Sequence, residues 1–195
     1  MDQSCDVWLL TELSDFFTLK DYNLHRTAGL MAPRRRWAAV ASRNCLNPLP
    51  DPHPASAMAK VGTLMFCSSI LPWRTCGSRA PWVGSSHGDK TEACVNKLLE
   101  AFPLPNLVWG GDWNNSLSGQ NLSGSIGGLA YINRAVERLR LQVPTKALPH
   151  HLEGLRSIDH LALADRIPLS AMGRVEASVG GTRLSDHDLY WIEIP

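Results

Sequence analysis

The chain of 195 residues, 44% of them hydrophobic, is long enough to bury a substantial core and falls within the size range of one domain. Its net charge of +1 excludes a general cationic field for gathering nucleic acid or an anionic membrane, so any such contact has to be local. Five scattered cysteines without a C-x-x-C pair argue against a zinc knuckle or dithiol centre and read as reduced thiols.

No apolar run approaches the roughly 20 residues of a membrane span. The opening "MDQSCDVWLLTELSDFF" carries acids where a secretory signal has a basic start, so a soluble, cytoplasmic protein is expected. In chain order, "DVWLL" (6–10) predicts a strand that ends at Thr11 and Glu12, and "RWAAVAS" (36–42) a second, just after the basic "PRRRW" (33–37). The span 44–57 holds four prolines and predicts an irregular loop, followed by one strand in "VGTLMFCSS" (61–69).

"DKTEACVNKLLEAF" (89–102) has helical spacing, with Ala93, Leu98 and Phe102 near one face. The preceding "GSSHGDKT" (84–91) nearly spells a phosphate-binding loop, but Asp89 stands where the second glycine belongs, so it reads as the cap of this helix. "NLVWG" (106–110) is a strand candidate, the Gly/Ser-rich 114–128 a loop, and "GGLAYINRAVERLR" (127–140) a second helix. "LRLQV" (139–143), "DHLALA" (159–164), "GRVEASV" (173–179) and "DLYWIEI" (188–194) complete eight candidate strands. Strands alternating with helices indicate an α/β protein, and so many polar-edged strands fit two packed sheets with helices outside.

Acids and amides recur at strand ends, where open α/β folds place their ligand sites. Asp112 and Asn114 follow "NLVWGG", Asp159 and His160 begin "DHLALA", Asp186 and His187 precede "DLYWIEI", and Glu12 ends the first strand. Each alone is explained by a turn, a cap or an exposed loop. Recurrence of the first three at three strand ends is harder to assign to turns, and Glu12 adds a fourth that alone would mean nothing. Strand alternation turns His160 away from Asp159.

In this order, "DVWLLTE", "GGDWN", "SIDH" and "SDHDL" resemble the motifs of the endonuclease/exonuclease/phosphatase superfamily, from residue 5 to the C-terminus. The resemblance implies a four-layer α/β sandwich of two packed mixed sheets with outer helices, as a single domain over 1–195. It implies a metal-dependent phosphoesterase, an endonuclease, exonuclease or other phosphodiesterase, using magnesium or manganese on a phosphoester substrate such as nucleic acid. On the matching positions, Glu12 and Asp186 would hold the metal, Asp112 would orient or deprotonate water, and Asn114 would hold a phosphoryl oxygen. His187 would donate to the phosphate and Asp159 would keep it protonated and oriented.

Two departures accompany the resemblance. The family's first strand, with its metal-site asparagine, has no counterpart ahead of Glu12, which marks the domain as N-terminally incomplete. Ile70, in "SIL", stands where many members carry a histidine. These departures keep a second reading open, a catalytically impaired member acting as a binding or scaffold module. Of the tryptophans, Trp113 is expected to line the cleft because it lies between Asp112 and Asn114.

Overall fold

The computed structural model describes residues 5–102, 106–119 and 123–195. In chain order these form β1 (Val7–Ser14), β2 (Asn23–Arg26), β3 (Leu30–Ala32), β4 (Arg35–Ser42), β5 (Leu46–Pro48), β6 (Ser56–Val61), β7 (Leu64–Ile70) and α1 (His87–Ala101). There follow β8 (Leu107–Asp112), α2 (Ile126–Arg138), β9 (Leu141–Gln142), a 3-10 turn (Pro144–Ala147), β10 (Asp159–Ala164), β11 (Ala171–Val175), β12 (Ser178–Val179), β13 (Thr182–Arg183) and β14 (Leu189–Glu193).

A mixed six-stranded sheet runs β5-β6-β7-β8-β10-β9, with β7 and β8 parallel and its other neighbours antiparallel. Packed on it is a second layer, where β1, β4, β2 and β3 form one antiparallel sheet and β11 pairs with β14. Alternation along β8 decides which partner covers which face. Trp109 turns to the helices, meeting Phe102 at the end of α1 with ring centroids 5.4 Å apart. Gly110 turns to the second layer, where an added Cβ would lie 2.9 Å from Leu9 Cδ1 and 2.5 Å from Leu161 Cδ2. Only glycine lets β1 come this close to β8.

Both helices share the Trp109 side and pack on each other, burying Cys94, Val95 and Leu98 of α1 and Ile132 and Ala135 of α2. Among the described residues no helix covers the outer face of the second layer, and none is long and apolar enough to cross a membrane. All five cysteines are free thiols.

Local chemistry changes several of the expected elements. The strand expected over 61–69 is a hairpin, because Gly62 at φ 58° supplies the left-handed turn joining β6 to β7. The proline-rich loop over 44–57 contains β5, where Pro48 lies on the sheet's edge strand and needs no ladder donor, and the start of β6. The strand expected at 139–143 shrinks to β9 because α2 continues to Arg138. The span 173–179 divides into β11 and β12, since Ala177 N–H leaves the ladder to bond Asp188 Oδ1 at 3.1 Å.

The near-match to a phosphate-binding loop is a helix start. Ser86 caps α1 and Asp89 completes the reciprocal capping box, while Lys90 Nζ is turned inward to the Cys76 carbonyl at 2.8 Å. Lys90 thus does not face outward for a phosphate.

Candidate active site

Asp112 is the last residue of β8 and Asp159 the first of β10, and the two stand opposite each other in the antiparallel register. Like charges directly opposed across a ladder repel. Asp112 is also buried, 5% exposed, and burial first and the Asp159 charge second push its pKa up to about 7.

His187, in the turn before β14, relieves part of this charge. Its Nδ1–H donates to Asp159 Oδ2 at 2.9 Å and Oδ1 at 3.0 Å. That bond is the largest influence on the imidazole and, with the charges of Asp159 and Asp112, outweighs desolvation to push its pKa up to about 9. The ring is therefore an imidazolium at neutral pH. One ligand atom from each of Asp112, Asp159 and His187 lies within 4.8 Å of the others.

The turn carrying His187 is held by a residue with no apparent role in the sequence motif. The Asp188 side chain is fully buried, its Oδ2 accepting from Arg174 Nε at 2.5 Å and its Oδ1 from Arg183 Nη2 at 2.7 Å. Burial opposes ionisation there, but the Ala177 amide and the two guanidinium groups hold the carboxyl below its usual range. "SDHD" thus encodes both the imidazole of the cluster and its anchor. Two acids flanking one histidine were the available signal.

Asn114 sits at φ 52°, a left-handed conformation that asparagine tolerates better than most residues. Its backbone N–H donates to Asp112 Oδ1 at 2.9 Å, and its Nδ2 donates to Asp112 Oδ2 at 2.9 Å and the Leu71 carbonyl at 3.0 Å. Both amide hydrogens are committed, so in this state Asn114 grips Asp112 and has none left for a phosphoryl oxygen.

Glu12 also adopts a left-handed conformation, φ 53°, and leaves the β1–β4 ladder between the pairs Thr11↔Ala38 and Leu13↔Arg36. Its carboxylate is close enough to add to the field at Asp112, while Arg35 Nη1 donates to it at 2.8 Å. Asp186 is exposed, and its charge reaches His187. The six residues from distant segments thus gather at one end of the packed sheets. Asp112, Asp159 and His187 form the tight centre, Asn114 grips Asp112, and Glu12 and Asp186 lie at the margin.

Three neighbouring positions lie outside the cluster. His160 is buried on the far side of β10, donating from Nε2 to the Asn115 carbonyl at 2.9 Å. Trp113 corrects the expectation of a cleft residue: it is fully buried, its ring centroid 4.1 Å from that of Trp109, because it falls on the helix-facing side of the strand end. Ile70 is 1% exposed within the core and contributes no proton carrier. Sequence reading also passed over His150, whose pKa burial and then His151 lower, and which lies within electrostatic reach of Asp159 and His187.

The donor set suits a hard divalent cation. Glu12, Asp112, Asp159 and Asp186 supply oxygen, and the opposed Asp112 and Asp159 concentrate negative charge that such an ion relieves.

Solved structures share this architecture at low sequence identity. The endonuclease domain of TRAS1, a telomere-specific non-LTR retrotransposon, superimposes with a TM-score of 0.68 at 11% identity, covering 97% of this chain and 85% of that one. The chain has the endonuclease/exonuclease/phosphatase fold. An endonuclease/exonuclease/phosphatase protein from Beutenbergia cavernae superimposes with a TM-score of 0.62 at 13% identity, over 97% of this chain and 62% of its own. An AP endonuclease from Leishmania major gives 0.61 at 12% identity, over 90% of this chain and 71% of that one. No protein-family model matches the chain, and no curated protein does. Within the endonuclease/exonuclease/phosphatase fold of this chain, the acidic cluster lies where β8 ends and β10 begins.

Proposed function

We propose that this endonuclease/exonuclease/phosphatase-like domain is a hydrolase of phosphodiester bonds, with nucleic acid as its substrate class. The observation that carries this is an imidazolium, His187, fixed by Asp159 beside the buried carboxyl of Asp112. Such a pair offers a proton donor and a water-orienting base within a few ångströms of one phosphoryl group.

In this reading Asp112, gripped by Asn114, aligns the attacking water and takes its proton. His187 donates a hydrogen bond to a phosphoryl oxygen as charge builds on it, and Asp159 keeps the ring charged and correctly turned. Glu12 and Asp186 would hold a magnesium or manganese ion, which neutralises charge on the phosphate and on the departing alkoxide. The nucleic-acid assignment draws on the likeness to endonucleases and on the exposed Arg34 and Arg35, the second of which is bonded to Glu12.

One observation favours a second reading, a binding module without turnover. Arg35 already occupies the Glu12 carboxylate that a metal needs. The readings separate on bis(p-nitrophenyl) phosphate and supercoiled plasmid with magnesium, with chelator, and with His187→Ala. Hydrolysis in magnesium alone supports the hydrolase. An intact fold that turns over neither substrate leaves the binding module.

A further inference from the structure

One histidine close to the acidic cluster has no part in the reaction proposed above. His150 is carried on a tight hairpin between the 3-10 turn and β10. Ser157 N–H donates there to the Leu148 carbonyl at 3.0 Å, His150 N–H to the Leu155 carbonyl at 3.1 Å, and Leu155 N–H to the Leu152 carbonyl at 3.3 Å. An isolated bridge pairs Pro149 with Arg156 inside it. The hairpin is tied to both strands that present the cluster. Asp159 N–H donates to the Ser157 hydroxyl at 2.9 Å, which joins its base to the start of β10. Tyr190 of β14, three residues after His187, donates its hydroxyl hydrogen to the Pro149 carbonyl at 2.9 Å.

The same hairpin fixes the tautomer of the ring. Leu152 N–H donates to His150 Nδ1 at 3.1 Å, so that nitrogen holds the lone pair and the hydrogen of the neutral ring is on Nε2. Both Asp159 oxygens are engaged by His187, and among the described residues no side chain or carbonyl accepts the Nε2 hydrogen. His151 packs on the ring with centroids 4.2 Å apart. Burial and then His151 lower the pKa of His150, so the ring stays neutral beside the His187 imidazolium instead of repelling it.

His150 lies outside the group of atoms from Asp112, Asp159 and His187 that stand within 4.8 Å of one another, yet the charges of Asp159 and His187 both reach it. A phosphoryl group seated on that group is engaged by those three residues. The next anionic oxygens of a polynucleotide belong to the adjoining phosphate. We propose that His150 donates its Nε2 hydrogen to the phosphodiester flanking the one that is cut, and so selects a polynucleotide over an isolated phosphoester. This deepens the phosphodiester reading above and rests on it. A neutral N–H serves the purpose because contacts to the phosphate backbone position a chain without reading its bases. His150 is thus a residue of specificity, and its loss should act on substrate binding rather than on the bond-breaking step.

The test compares the native chain with His150→Ala and with His150→Gln, which keeps an N–H donor. On a fluorogenic hexathymidylate in magnesium, His150→Ala should raise KM about tenfold, as expected for one hydrogen bond to a charged oxygen, with kcat unchanged. His150→Gln should recover most of that loss. On bis(p-nitrophenyl) phosphate, which has no second phosphate, His150→Ala should keep kcat/KM within about twofold of native. Binding is read separately from turnover, by fluorescence anisotropy of a fluorescein-labelled hexathymidylate with phosphorothioate linkages, and His150→Ala should weaken it about tenfold. A chain that hydrolyses neither substrate removes the hydrolase reading, and the anisotropy still decides the role of His150. Should His150→Ala not fold, the Nε2–H resonance of His150 in the native chain should shift as the phosphorothioate binds. No binding by the native chain, equal binding by His150→Ala, an unmoved Nε2–H resonance, or an equal loss on bis(p-nitrophenyl) phosphate would each overturn the proposal.

Discussion

At the scale of single residues, the opposed pair Asp112 and Asp159 sets stability against function. Asp112 titrates at about 7 rather than the ordinary 3.8, so the folded state binds its proton more tightly and its charging penalty grows as pH rises from about 4 to 7. His187, raised from 6.5 to about 9, contributes stability that is complete below 6.5 and lost as pH climbs through about 9. Below pH 6.5 the buried, neutral His53 and His160 act in the opposite sense, so the decline should appear from pH 7 to pH 10, measured by thermal melts across that range. Asp112→Asn should flatten the acid side of the decline and raise the melting temperature at pH 8 by about 5 °C, while hydrolysis falls at least a hundredfold. A melting temperature lowered at pH 8 would refute the strain assigned to this carboxyl. Asp159→Asn and His187→Ala should each lower turnover, and the double variant should cost little more than the worse single, because the two act as one device. Additive losses in that cycle would separate them.

At the scale of elements, the glycines before Asp112 decide how the strand end is presented. Gly111 lies at φ 121°, and a Cβ there would stand 2.2 Å from the Ser69 carbonyl oxygen on β7. Gly111→Ala should therefore destabilise the fold by more than about 3 kcal/mol in urea melts, far beyond an exposed glycine such as Gly180. β8 and β10 were legible in the sequence to within two residues, because each is a continuous apolar run bounded by polar groups. β2, β3, β5 and β13 were not, since two to four residues are too few to show a period and are held by their neighbours. The acids and the imidazole were legible because the chemistry requires those residue types. The commitment of the Asn114 amide to Asp112 and the clamp on Asp188 were not, because both depend on chain segments that meet only after folding.

At the scale of the whole molecule, the cluster draws on β1, β8, β10 and the turn before β14, so its geometry depends on two layers keeping their relative position. A cation bound to the folded state alone should stabilise it by mass action, about 2.7 kcal/mol at a hundredfold excess over the dissociation constant. Magnesium should accordingly raise the melting temperature of the native chain, and calorimetry should find the gain reduced in Glu12→Gln. An equal gain in that variant would remove Glu12 from the ion's coordination. Arg35→Ala, which frees the Glu12 carboxylate, should increase the magnesium-dependent shift.

The indoles of Trp109 and Trp113, in contact at 4.1 Å between ring centroids and inclined by 32°, have an optical consequence. Two such chromophores at this separation couple their excited states and give a paired band of opposite signs in circular dichroism. Trp113 is bonded covalently to Asp112, so any shift of that carboxyl as a cation or substrate arrives alters the coupling. The neighbouring imidazole of His160, 5.2 Å from Trp113, is kept neutral by burial down to about pH 4 and leaves the signal undisturbed through the working range. The protein thus carries an intrinsic, label-free reporter at the strand end where Asp112 stands, readable in the same titrations that measure binding.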